Sequence, residues 1–194
     1  LIFIMMWLTL FFLIHFAFTF KKDKKEDALL KTHIVALLHG VLSFIFSSMF
    51  INEFGIDFEL KNSPLSVRIV SLSLGYFNYD LIICIIFGIW DWKLMWHHGL
   101  AIIGFLTPIL LGKGVFVLVL ALFLGESSNF PMHVRALLKF FYLKHTKIYE
   151  LFDIMYFLIY IFARGVISPY YSVFALLSKS IPMFTKITFA AQVF

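Results

Sequence analysis

The chain has 194 residues, of which 62% are hydrophobic and 14% charged, against roughly 45–50% and about 25% in an ordinary globular domain. A soluble core cannot hide that much apolar surface, and at about 20 residues per crossing the length suffices for six or seven membrane-spanning helices and no separate soluble domain. The formal net charge of +5 sits in short loop clusters beside the apolar stretches, which excludes a nucleic-acid partner and reads as a topology signal among membrane lipids.

Residues 1–20 form the first predicted span. The stretch lacks a basic n-region and a small-residue cleavage site, so it reads as a retained helix and not a signal peptide. The run Lys21-Lys22-Asp23-Lys24-Lys25-Glu26-Asp27 closes it, because no bilayer interior accepts such charge. A second span is expected over 32–51, followed by a polar stretch to Pro64. The third, 67–89, ends at Trp90-Asp91-Trp92-Lys93, the aromatic and charged pattern of an interface. The fourth runs from Leu94 to Gly112-Lys113-Gly114.

The fifth span starts at Val115, turns polar at Gly125 to Asn129, and is expected to kink or end at Pro131. Residues 133–149, basic and amphipathic, read as a surface helix. A sixth span over 150–168 is stopped by Pro169, and 179–194 is a tail or a partial seventh span. The fold class is thus an all-α polytopic bundle of six helices, or seven if the tail crosses. Most Lys and Arg fall in the odd-numbered loops, which assigns those to the cytosolic or equivalent side, with the N-terminus opposite. The single cysteine, Cys84, excludes an intrachain disulfide and reads as a small buried hydrophobe.

Ionisable residues inside spans are costly and should face the bundle interior. His15, His39, Asp80, His97, His98 and Glu126 all fall in the basic-side half by helical rise, and Arg164 in the other. Such clustering fits an intramembrane cavity open to one side. His97 and His98 read either as a proton-transfer or nucleophilic pair or as interfacial, helix-bonding residues. Asp80, within Tyr76-Phe77-Asn78-Tyr79-Asp80, reads as a structural partner for a histidine or tyrosine or as part of the chemistry. Glu126, Ser127, Ser128 and Asn129 read as polar packing of a broken helix or as cavity wall. Arg164 would neutralise a carboxylate or lipid phosphate, or snorkel to the far interface. No metal-ligand pattern is present, so neither a metal nor a cofactor is expected. The catalytic candidates, should the chain be an enzyme, are His97, His98 and Asp80. The cavity candidates are His39, Tyr76, Asn78, Glu126, Ser127, Asn129 and Arg164.

These residues in this order resemble the TLC-domain family, which includes the ceramide synthases and several smaller lipid-homeostasis proteins. The matching elements are Arg68, Tyr79-Asp80-Leu81, His97-His98-Gly99-Leu100-Ala101, Glu126-Ser127-Ser128 with Asn129 and Arg135, and Phe162-Ala163-Arg164. The resemblance covers roughly 28–178, leaving 1–20 as a preceding helix. Ceramide synthases follow the His pair, one span later, with a His-Asp and a further Asp. This chain has Gly125-Glu126-Ser127-Ser128-Asn129-Phe130 there, and so is more similar to the smaller members. The resemblance therefore implies non-catalytic lipid binding and homeostasis, alone or as an accessory subunit among other membrane subunits of a larger assembly. The alternative is an acyl-CoA-dependent N-acyltransferase in which His97 or His98 is base or acyl acceptor, Asp80 orients it, and acyl-CoA is substrate. The endoplasmic reticulum and the mitochondrial inner membrane both fit.

Overall fold

In the computed structural model, which describes the backbone of residues 1–193 and the side chains of 1–188, helices occupy nearly the whole chain, with no strand among the described residues. They are α1 (Ile2–Ala17), α2 (Lys24–Phe54), α3 (Pro64–Ile86), α4 (Trp92–Leu111), α5 (Val115–Phe140), α6 (Lys147–Tyr160), α7 (Ser168–Leu177) and α8 (Met183–Val193). A π-helical segment, Ile161–Ile167, joins α6 to α7 without a break. α2, α3, α4, α5 and the continuous run Lys147–Leu177 are long and apolar enough to cross a membrane. α1 is apolar but shorter, at 16 residues, or about 24 Å. It lies along α3 as the sixth helix of the bundle.

Helix starts follow local sequence. The Asp23 carboxylate accepts from the Glu26 N–H at the head of α2, and Ser63 and Ser66 form a reciprocal capping box before α3, with Pro64 in its first turn. Asp91 caps α4 through the N–H groups of Lys93 and Leu94, and Thr146 caps α6. Each satisfies backbone donors that the helix leaves unpaired. The tight α4–α5 turn places Gly112 at φ 68° and Gly114 at φ 82°, a conformation glycine reaches without steric cost. Asn62 ties that turn to the α2–α3 loop, donating to the Pro108 carbonyl at 2.9 Å and accepting from Val115 N–H at 3.0 Å.

The central pair is α2 against α5, the largest helix–helix contact in the bundle. α2 meets it at Gly40, where a Cβ would stand 2.9 Å from Glu126 Oε2 of α5, a small residue that lets helices approach closely in lipid, where apolar burial alone gives no drive to associate. α1 is seated by a similar device. A Cβ at Gly75 would stand 2.5 Å from Phe3 Cβ, and Trp7 Nε1 donates to the Leu72 carbonyl at 3.1 Å.

Three expectations change. α5 continues through Pro131 to Phe140, so 133–140 is the end of a long span and not a surface helix; a turn follows before α6 starts at Lys147. Pro169 does not stop the sixth span. The π segment shifts the hydrogen-bond register just before it, so that the Ser168 N–H bonds the Ala163 carbonyl, the kind of local π adjustment by which lipid-embedded helices tolerate proline. Finally, the charged run 21–27 is not all loop: α2 begins at Lys24, and Asp27 and Lys31 are buried.

Candidate functional site

A cavity of about 330 Å³ lies among α2, α3, α4, α5 and the α6–π junction, at the lower end of the range for ligand sites. It continues into a narrower recess of about 80 Å³ walled by Phe77, Ala101, Phe105 and Leu122. Phe77, His97, Glu126, Asn129 and Arg164 line both parts. The polar groups His97, Glu126, Asn129 and Arg164 therefore sit where the main cavity passes into the more apolar recess.

The main cavity is histidine-rich. His98 Nδ1 stands 3.2 Å from Asp80 Oδ2, both side chains buried. An ionised carboxylate at that distance favours the proton on Nδ1 and leaves Nε2 as the open nitrogen. Cys84 Sγ lies 3.9 Å from the same Asp80 oxygen. His97, one residue along the helix and so turned by about 100°, lines the cavity without a carboxylate of its own. His33 of α2 and His133 of α5 meet Nδ1 to Nδ1 at 3.0 Å.

Deeper in, His39 is almost fully buried and stacks on Tyr76, the ring centroids 3.9 Å apart. Its Nε2 closes a triangle with Ser43 and Ser73 at 3.0 Å each. Its Nδ1 faces Glu126 Oε1 at 3.9 Å. The other Glu126 oxygen accepts from Asn129 Nδ2 at 3.1 Å and lies where Gly40 leaves room, since a Cβ there would be 2.9 Å away. Asn129 Oδ1 in turn accepts from Arg164 Nη2 at 3.2 Å. Arg164 also donates from Nε to Ser128 Oγ at 3.1 Å and from Nη2 to the Gly125 carbonyl at 3.3 Å.

Glu126 and Arg164 are not in opposite halves of the bundle. With α5 ending at Phe140 and α6 starting at Lys147, Glu126 lies about 21 Å and Arg164 about 26 Å from the basic-side ends of their helices, near mid-height. His39, about 22 Å along α2, is at the same level. Asp80, His97 and His98 lie only about 8–9 Å from theirs, so the site has two layers.

Of the sequence candidates, His39, Tyr76, Asp80, His97, His98, Glu126, Asn129 and Arg164 all line the cavity. Asn78 and Ser127 do not. Asn78 Nδ2 donates to the Leu74 carbonyl of its own helix and Ser127 Oγ to that of Leu124. His33 and His133 were not anticipated, although Glu126, Asn129 and His133 share one face of α5 at i, i+3 and i+7, the spacing of a single helical stripe. His15 lies outside, stacked on Phe11. Among the described residues, no three His, Cys, Asp or Glu side chains are grouped to hold a metal ion.

Against known proteins, the model of the family described as the TLC domain matches residues 29–193, which takes in α2 from its second turn, α3 to α8 and every cavity-lining residue. No solved structure matches the chain.

Proposed function

We propose that this chain, which belongs to the TLC-domain family, is an integral membrane protein that holds a lipid in its intramembrane cavity, serving lipid homeostasis without catalysis, alone or as an accessory subunit of a larger assembly. The observation that carries this reading is the cavity itself. It joins a polar column reaching mid-membrane to an apolar recess, and a lipid headgroup with the start of an acyl chain has the same two-part character. Both α4 and α6 line the cavity yet make no substantial contact among the described residues, which fits access from the bilayer at the seam between them. A long tail would leave through that seam, because the recess itself has only the volume of two or three waters.

Native mass spectrometry of the purified chain tests the reading. Wild type is expected to carry lipid, and Ala36→Phe, which projects a ring into the cavity from a buried α2 position, is expected to lose most of it while keeping its helical content. Wild type released lipid-free from detergent would refute the proposal.

A second reading, lipid N-acylation from acyl-CoA, is favoured by the His98–Asp80 pair at 3.2 Å beside the cavity-lining His97. In it His98 Nε2 serves as base, Asp80 holds the ring, and His97 meets the acyl group. Membranes given acyl-CoA and a long-chain amine should then form amide, and His98→Ala should abolish it; equal product from both ends that reading.

A further inference from the structure

Arg164 is positioned unlike any other charged group of the cavity. It sits at mid-membrane on a seven-residue π-helical segment, a geometry that is rare and concentrated at functional sites. Its three hydrogen bonds all go to neutral oxygens, those of Ser128, Gly125 and Asn129. Both hydrogens of Nη2 are committed to them, whereas Nη1 has no protein partner among the described residues. The Tyr160 ring lies 5.7 Å to one side.

The two carboxylates lining the same space are turned elsewhere. Asp80 stands against His98, and Glu126 points to α2, one oxygen toward His39 and the other bonded by Asn129 over Gly40. Among the described residues no carboxylate forms an ion pair with the guanidinium. A cation held in lipid at such cost calls for a partner, and arginine answers oxyanions best.

We infer that the cavity's lipid presents an anionic head, a carboxylate or a phosphate, to Arg164 Nη1. The inference rests on the lipid-binding reading above and narrows it to one chemical class. The head sits beside Arg164 at mid-membrane, with His97 on its basic side and its chain leaving along the α4–α6 seam.

Equilibrium binding to the purified chain of oleic acid, oleoyl lysophosphatidic acid and oleyl alcohol tests this, because the three share a chain and differ in the head. Wild type should bind at least one anion about tenfold more tightly than the alcohol, the ratio that a charge-assisted hydrogen bond supplies. The tighter of the two anions tells carboxylate from phosphate. Arg164→Gln should reduce that anion to the level of the alcohol, and Arg164→Lys should retain part of the preference. Equal binding of all three by wild type, or an undiminished preference in folded Arg164→Gln, overturns the anion inference and leaves lipid binding standing. Failure of all three to bind overturns both.

Discussion

Lys31 and Arg164 are both cations drawn into the bundle, and their surroundings differ in kind. Lys31 is wholly covered at the α1–α2 corner, where it ion-pairs with Asp27 and approaches the His15 carbonyl at 3.4 Å. Asp27 in turn accepts from the N–H groups of Phe20 and Lys21. Every charge there is answered within the protein, and the corner works as a clasp between two helices. Arg164, on the cavity wall, hydrogen-bonds only neutral oxygens and, among the described residues, keeps one nitrogen open. The first arrangement serves the fold and the second serves a guest, and the two should separate in experiment.

The largest effect expected is from Lys31→Met. Removing one member of a buried pair leaves the other uncompensated, which costs roughly 3–5 kcal/mol; thermal unfolding in detergent should register a loss near the lower figure. Arg164→Gln should cost less, about 1–2 kcal/mol, because the oxygens it leaves are neutral and the new amide can still donate to part of them. Equal losses would erase the distinction. Next is Gly75→Leu. Its side chain collides with the Phe3 backbone and Cβ, so α1 should lift from α3 at a cost of roughly 2 kcal/mol, within the range for overpacking, with lipid retention little changed. Gly40→Ala should invert that pattern. The nearest atom to the new methyl is the end of the Glu126 side chain, which yields at under about 1 kcal/mol, but its carboxylate moves off Asn129 and lipid retention should fall.

The smallest effect belongs to the loop between α2 and α3. Hydrogen bonds from Ser178 and Ser180 hold the Glu59 carboxyl below its ordinary value of 4.5, tying the α2–α3 loop to the segment before α8. A carboxyl so lowered contributes its full stabilisation above pH 4.5 and loses it as pH falls through the folded value. A spin label at Met183→Cys should therefore gain mobility only in that acid range, and Glu59→Gln should abolish the pH dependence.

The all-helical membrane bundle and most of the polar lining of the cavity are legible in the sequence, because charged and polar residues in long apolar runs have few places to go. Depth was harder to read. Pro131 and Pro169 read as stops, yet the helix runs on through both, and just before Pro169 a π-helical register carries the chain past the proline. That reading of the helix ends sets Glu126 too shallow, puts Arg164 near the far end of a span that in fact runs on to Leu177, and hides His133 in a surface helix. A second span read from 32 leaves Lys31 outside it on charge alone, although Asp27 precedes it by one helical turn, the spacing of an i,i+4 pair.

The most direct test of the lipid-binding account is a density map of the chain in a lipid nanodisc. The account predicts an elongated feature with its head beside His97 and Arg164 and its tail passing between α4 and α6. A cavity closed by α4 packed against α6, with no such feature, would contradict it.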